Sequence, residues 1–195
     1  MILEVDLEDT MNFDTKLSSQ ITVFAYLEMV KQKDKEKIIN FIRERFTERY
    51  ITPLKVDLKK KNGFTIMAIA CLMIETLESF YQGWPNTIRK SQLAFSSFFE
   101  RNKNFHFIKS FGQSFYRHVR CGILHQAETT GGWCIQRAGP IFNEQTKTIN
   151  ASKFLIEVEN ALLSYCSQLS TANWEDEIWK KFRKKMSSIC GNCKS

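Results

Sequence analysis

Three histidines, His106, His118 and His125, are the side chains best suited to move protons near neutral pH, and all lie within 20 residues. Two of them follow an arginine at the same spacing, because Arg101 and Arg120 each stand five positions before a histidine. An imidazole can act as a general acid or base, and a guanidinium can stabilise negative charge in a transition state. These side chains are the candidates for acid–base chemistry in the sequence.

Other local signatures of catalysis are missing from the sequence. It contains no glycine-rich nucleotide-binding loop, no His-Glu-x-x-His metal motif and no Gly-x-Ser-x-Gly turn. Cys190 and Cys193 have CxxC spacing, but a zinc site needs a second pair of ligands that the chain does not obviously supply. We therefore expect no metal or cofactor, a frayed tail at 188–195, and core thiols at Cys121 and Cys166.

The composition is that of a helix-rich globular protein. The 195 residues are 43% hydrophobic, with 8 Gly and 3 Pro, and a chain of this size can bury its own core, so we expect a single domain over 1–195. The net charge is +7, and since the first 14 residues hold five acidic side chains and no basic ones, the rest carries +12. Such a body attracts polyanions, of which nucleic acid is the commonest, although a basic surface that only aids solubility explains the charge equally well.

Apolar periodicity predicts helices along most of the chain. Ser18 or Ser19 would begin the first, Pro53 would follow the end of the second, and Asn173 would cap the last. The predicted helices are 19–32, 34–50, 64–80, 88–100, 105–128, 152–169 and 174–187. We expect an acidic arm at 1–16, an exposed connection at 52–63 and a small hairpin or irregular insertion near 129–150. The phenylalanines from 95 to 115 would form core or a dimer interface.

Neither a membrane span nor a secretory signal is expected. No apolar run approaches the ~20 residues that a spanning helix needs, and the acidic N-terminus lacks the basic-then-apolar order of a signal peptide. We expect a cytoplasmic protein with reduced thiols that does not associate with membranes.

The stretch from Phe115 to Glu128, FYRHVRCGILHQAE, followed by Gly-Gly-Trp at 131–133, resembles a HEPN domain (higher eukaryotes and prokaryotes nucleotide-binding). Ribonucleases of that family carry Arg, four to six residues, then His on a late helix, and Arg120 and His125 fit with four between. Cys121 stands where many catalytic members have a polar residue. The resemblance covers this motif closely and the rest of the chain only as a compatible number of helices.

The resemblance implies an all-α fold, an up-and-down helical bundle, and a metal-independent endoribonuclease that needs no cofactor. It implies RNA as the substrate and a homodimer in which two motifs face one cleft. A role as a toxin or phage-defence effector, with an antitoxin or other protein partner, follows from the resemblance alone.

Metal-free RNA cleavage needs a base for the 2′-OH, an acid for the leaving 5′-oxygen and positive charge at the phosphate. On a helix, Arg120 and His125 stand about 140° apart, so a second protomer would have to supply the missing groups. We expect Arg117, His118 and Cys121 to support the site or contact phosphate. Glu128 would either orient His125 or be solvated.

Several alternatives stay open at this point. In one alternative, His125 is only a cation that suits a helix C-terminus. Arg101 and His106 match the same motif, but they straddle a predicted interhelical turn, so we expect their replacement to be mild. The rival function is a non-catalytic HEPN-type module that binds RNA or protein through basic faces at 31–61 and 180–185, and a third is an obligate structural subunit.

Overall fold

The computed structural model describes residues 11–55 and 62–193, and most of them are helical. The helices are α1 (Val23–Lys31), α2 (Lys35–Phe46), α3 (Thr52–Lys55), α4 (Gly63–Gln82), α5 (Ser91–Arg101), α6 (Gly112–Phe115), α7 (Cys121–Gln126), α8 (Ala151–Thr171) and α9 (Glu177–Gly191). Two π-helical turns, Thr47–Ile51 and Tyr116–Arg120, and a 3-10 segment, Lys103–Phe111, join some of them. The expected helix-dominated fold is confirmed.

A small sheet lies between α7 and α8, where we expected an insertion. Its strands are β1 (Cys134–Gln136), β2 (Phe142–Asn143) and β3 (Thr148–Asn150), in the order β1-β3-β2. The β2–β3 pair is an antiparallel hairpin, with Phe142 opposite Ile149, as predicted. The parallel pairing of β1 with β3 was not predicted, because turn signals in a sequence report only on neighbouring strands.

The described residues form two compact units. We call 11–52, 80–85 and 164–193 the terminal unit, and 53–55, 62–79 and 86–163 the central unit. The acidic side chains before residue 10 and the lysines at 59–61 lie outside the described residues.

Aromatic side chains form the core of the terminal unit. Phe80 lies 5.5 Å from Phe182 and 6.4 Å from Tyr165 between ring centroids, and Trp179 packs edge-on against Phe182. The buried indole of Trp179 donates its N–H to the Leu169 carbonyl at 2.9 Å, so its polar atom is satisfied.

Helix α1 begins four residues later than predicted. Thr22 is its N-cap and accepts from the backbone N–H of Ala25 at 3.2 Å. Ser18, which we predicted as a cap, instead accepts from the N–H of Ile21 within a tight turn. Both residues are good caps in isolation, so propensity could not choose between them.

The second predicted helix continues through Pro53 to Lys55, so the expectation that it stops before the proline is wrong. The π turn explains the difference: the N–H of Thr52 donates to the carbonyl of Thr47, five residues back. Pro53 then lies in the first turn of α3, where a missing N–H costs little.

Helix α9 also differs from the expected 174–187. It begins after Asp176 rather than Asn173 and extends to Gly191. Cys190 is 2% exposed, and the carbonyl of Cys193 accepts from the N–H of Asn12 at 2.7 Å. The tail that we expected to fray is therefore helical to Gly191 and hydrogen-bonded at 193.

The central unit buries the predicted phenylalanine cluster. Phe99 contacts Phe105 at 5.4 Å and Phe115 at 5.2 Å between ring centroids, and Phe115 stacks on Phe154. The side chains of Phe95, Phe98, Phe99, Phe105 and Phe115 are all buried. For these five, core is the alternative that the structure shows, whereas Phe107 and Phe111 are half-buried.

The predicted long helix 105–128 is wrong as a single element. Its first part is the 3-10 segment Lys103–Phe111, which is kinked at Phe105, where φ is −105° and ψ is 16°, and which buries Phe105 and Ile108. The rest is divided among α6, the π turn Tyr116–Arg120 and α7, which ends at Gln126. The spacing of apolar residues alone did not distinguish the 3-10, α and π segments from one continuous α-helix.

Helix α4 is long and apolar enough to cross a membrane, by length and composition, which we expected of no segment. Most of it is buried inside the protein, as in the core helices of proteins that do not span membranes. Its two charged side chains, Glu75 and Glu78, are both paired with arginines of the central unit.

Candidate functional site

Arg120 is a fixed cation at the end of the π turn Tyr116–Arg120. Its Nε donates to Oε1 of Glu75 at 2.7 Å, and the second carboxylate oxygen of Glu75 accepts from Oγ1 of Thr87 at 3.0 Å. Its guanidinium also lies 5.7 Å from the ring centroid of Tyr116. Glu75 is buried, so this pair anchors the arginine to α4.

The charge of Arg120 is reinforced by its neighbours. Burial by itself lowers the pKa of the guanidinium, but the charge and hydrogen bond of Glu75, with a hydrogen bond to Cys121, outweigh burial and raise the pKa above its ordinary value. Arg120 therefore stays positive at every physiological pH. Cys121 is only half-buried beside the arginine, so it is not the core thiol that we expected, and its supporting role in the site stays a prediction.

His125 lies in the last turn of α7 and is exposed. Within residues 11–55 and 62–193 its imidazole makes no hydrogen bond, to Arg120 or to any other residue. Glu128, which we expected either to orient His125 or to be solvated, accepts from the N–H of Thr129 at 2.8 Å and is exposed to solvent. The carboxylate closes the turn and does not orient the imidazole.

A tight reversal of the chain places His125 on the surface. Ala127 ends α7 in the left-handed conformation, with φ of 54°, and the following residues fold back over Gly122. A Cβ on Gly122 would lie 2.5 Å from the carbonyl oxygen of Glu128 and 3.3 Å from Cα of Thr129. Gly122 is thus required by the close approach of its own chain.

We expect Gly122→Ala to lower the free energy of unfolding by about 1–3 kcal/mol, because the added methyl group meets backbone that cannot move freely. Urea denaturation followed by circular dichroism measures this change. Gly63→Ala is the matched control, since its Cβ would meet only side-chain atoms, a methyl group of Ile135 at 3.2 Å and Cγ of Arg137 at 3.7 Å, and it should change stability by less than about 0.5 kcal/mol. Equal stabilities of the two variants would contradict the close approach.

An apolar groove of about 120 Å³ runs beside Arg120 in the central unit. Leu72 on α4 is 48% exposed and Leu124 on α7 is 60% exposed, so the groove opens between two large apolar side chains. Its lining residues are Ala68, Cys71, Leu72, Arg120, Ile123 and Leu124.

Arg117 and His118 do not line this groove. His118 is half-buried, and its Nδ1 lies 2.9 Å from Oγ1 of Thr130, while its carbonyl accepts from the N–H of Thr130 at 2.9 Å. Arg117 is exposed. The π turn therefore points Arg120 towards α4 and holds His118 against the turn that precedes the sheet.

The second motif copy has a different arrangement. Arg101 ends α5 and donates to both carboxylate oxygens of Glu78, at 2.8 Å and 3.4 Å, and Glu78 is 0% exposed. His106 lies in the 3-10 segment and is exposed. The predicted break between Arg101 and His106 is confirmed, but Arg101 is the partner of a buried carboxylate rather than a dispensable side chain.

Both arginines of the two motif copies thus pair with α4, and our sequence analysis did not single out Glu75 or Glu78. A signal was present, since these are the two charged residues of an otherwise apolar helix. Buried carboxylates are almost always paired, so the pattern calls for two cations. It does not say which ones.

Cysteine and acidic side chains offer no cluster for a metal ion within the described residues. Burial raises the pKa of Cys190 to about 12 and that of Cys166 to about 11. Both remain protonated thiols near neutral pH, which makes them poor nucleophiles. Cys166 is a core thiol as predicted.

Comparisons of the chain with protein-family models, with curated proteins and with solved structures find no match.

Proposed function

We propose that this chain is a HEPN-type, metal-independent endoribonuclease with an up-and-down helical bundle, in which Arg120 and His125 act together. The observation that carries the proposal is the contrast between the two side chains. Arg120 is anchored by Glu75 and opens on a groove, whereas the imidazole of His125 is exposed and unpaired among the described residues. A preorganised cation and a free proton carrier are the two components that the chemistry needs.

In the proposed reaction, one His125 removes the proton of the substrate's 2′-OH, and the oxygen attacks the adjacent phosphorus. The P–O5′ bond breaks, and a second imidazole protonates the leaving 5′-oxygen. Arg120 stabilises the negative charge that develops on the phosphoryl oxygens. The products are a 2′,3′-cyclic phosphate and a 5′-hydroxyl. The π turn supports this role, because such turns are frequent at functional sites.

The second imidazole comes from a second protomer in this proposal. Each chain supplies one His125, whereas the proposed reaction needs two imidazoles. Five residues apart on an ideal helix, Arg120 and His125 do not share a face, so the Arg120 of one chain would work with the imidazole of the other. The exposed side chains of Leu72 and Leu124 beside Arg120 favour self-association of this surface. In a two-fold dimer the same patch meets itself and brings two copies of each group together. We infer from the resemblance a cytoplasmic toxin or defence effector, controlled by an antitoxin or another protein partner.

A non-catalytic module that binds RNA or protein is the second candidate. The charge of Arg120 is already paired with the carboxylate of Glu75, and no side chain among the described residues orients the imidazole of His125. A catalytic base is usually held in place by a hydrogen bond, so this arrangement favours a module that binds without catalysis. Its proposed basic faces are smaller than the sequence indicates, because several lysines between 31 and 55 are paired with acidic residues. Lys185 is buried and donates to the Pro85 carbonyl, which removes it from the predicted solvated face and leaves Lys180 and Lys184 exposed.

A mixing experiment tests the shared site. Wild-type protein is mixed with the His125→Ala variant in different ratios at constant total protein under subunit exchange, and RNA cleavage is measured in EDTA. If each cleft needs both protomers, mixed dimers lose activity, and the rate falls with the square of the wild-type fraction. The control titrant is Gln145→Glu, an exposed position in the β2–β3 turn, which should leave activity proportional to total protein. A strictly linear fall with the His125→Ala variant would contradict the shared cleft.

A further inference from the structure

A second cavity of the central unit lies on the other side of the π turn. Its volume is about 500 Å³, a size that holds a small ligand or one unit of a polymer. It shares no lining residue with the groove beside Arg120. The lining residues are Gln92, Ser110, Gln113, Ser114, Arg117 and His118.

Hydrogen-bond donors dominate this polar pocket. The indole N–H of Trp133 donates to Oγ of Ser114 at 3.1 Å, and since an indole nitrogen only donates, the hydroxyl hydrogen of Ser114 is free for another partner. His118 uses Nδ1 on Thr130, so its Nε2 remains available, and Nε2 is an N–H donor when Nδ1 accepts from the threonine hydroxyl or when the ring is protonated. Arg117 adds a guanidinium, and no lining side chain is a carboxylate.

This chemistry selects an anion. A guanidinium, an imidazole N–H, a serine hydroxyl and amide N–H groups are the donors that proteins direct at phosphate oxygens. A cation would find no charged partner among the lining residues, and an apolar ligand would leave six polar side chains without water.

We propose that this pocket binds a phosphate of the RNA backbone at a nucleotide away from the bond that is cut. The proposal rests on the proposed function, because it assigns the anion to the substrate strand. Arg117 and His118 are then positioning residues: they hold the strand on one side of the π turn while Arg120 acts on the other. Their removal weakens binding and leaves the chemical step intact.

Binding is measured with a cleavage-resistant RNA in which every 2′-OH is methylated, by fluorescence anisotropy over a range of salt concentrations. Arg117→Gln should weaken binding about tenfold, as loss of a charge-assisted hydrogen bond does. It should also reduce the slope of log K against log salt by about 0.7, the value for one phosphate contact on a single strand. Lys103→Gln is the matched control, since it removes one exposed positive charge outside the pocket.

A second pair of variants adds charge instead of removing it. Gln113→Glu places a carboxylate in the pocket with almost no change of shape and should weaken binding by tenfold or more. Gln145→Glu adds the same charge at an exposed position outside the pocket and should have little effect. If both pocket variants bind RNA as tightly as their controls, the pocket does not hold the strand.

Two further outcomes separate this proposal from the nuclease itself. RNA binding that depends on Arg117 in a protein that never cleaves RNA would support the pocket and contradict the catalytic proposal. Cleavage that proceeds with unchanged KM in Arg117→Gln and Gln113→Glu would support the nuclease and overturn the pocket. Adenosine monophosphate that binds as tightly as the methylated RNA would assign the site to a free nucleotide and overturn its assignment to the strand.

Discussion

His125→Ala is expected to reduce RNA cleavage by a factor of about 10² to 10⁴, the usual contribution of a general acid or base. If both imidazoles of a shared cleft are lost, the effect lies at the upper end of that range. The fold should be unaffected, because the side chain is exposed and makes no hydrogen bond within the described residues. Cleavage rates at saturating RNA, together with the unfolding free energy in urea, measure both quantities.

His106→Ala is the matched control for this variant. His106 is also exposed and also stands five residues after an arginine, so it differs from His125 in its place in the fold rather than in its local sequence spacing. We expect full activity and native stability. Loss of cleavage in His106→Ala with retention in His125→Ala would move the site to the other motif copy.

Arg101→Ala is expected to lower the free energy of unfolding by about 2–3 kcal/mol. Breaking a buried ion pair typically costs about 3–5 kcal/mol, because the remaining charge has lost its partner in a medium that solvates it poorly. Glu78 is fully buried, but the side chain of Arg101 is 35% exposed, which lets water replace part of the lost interaction. This expectation corrects the mild effect that the sequence suggested.

Urea denaturation tests the effect, with Lys103→Ala as a control because Lys103 is exposed near the same end of α5. Adding Glu78→Gln to Arg101→Ala should recover part of the lost stability, since a neutral amide is easier to bury than a carboxylate that has lost this guanidinium. An Arg101→Ala protein as stable as the Lys103→Ala control would show that the ion pair contributes nothing.

Arg120→Ala is expected to lose both activity and stability, for the same reason. Its partner Glu75 is buried and would keep its hydrogen bond from Thr87 but lose the guanidinium. A loss of cleavage in this variant alone therefore does not separate a catalytic role from a structural one, which is why His125 carries the main test.

The sequence predicted the helices that bury one continuous apolar face. It did not predict the segments in which an α-helix gives way to a π or 3-10 turn. The periodicity of α4 and α8 gave both elements with bounds close to those observed, because one face of each contacts a core. The π turn before Pro53 and the 3-10 segment around Phe105 depend on packing that the local sequence does not contain. Propensity also gave no reason for Cys190 to be buried.

The sequence predicted which residues form the candidate site, but it did not predict which side chains surround and pair with them. The spacing of Arg120 and His125 is visible in the sequence, as are the turn formers that follow them. The partners of the arginines were missed because Glu75 lies 45 residues before Arg120, and Glu78 lies 23 before Arg101. Such long-range pairs follow from how α4 packs within the central unit, which single-sequence patterns do not report.

The most direct measurement uses two RNA oligonucleotides that differ in one atom at the cleavage site. Both are incubated with the wild-type protein in EDTA, and one carries hydrogen in place of the single 2′-OH at that position. We predict that the unmodified RNA is cut to a 2′,3′-cyclic phosphate and a 5′-hydroxyl, while the 2′-deoxy RNA stays intact, because the 2′-oxygen is the nucleophile. Efficient cleavage of the 2′-deoxy RNA at the same bond, or products with a 5′-phosphate, would contradict the proposed mechanism.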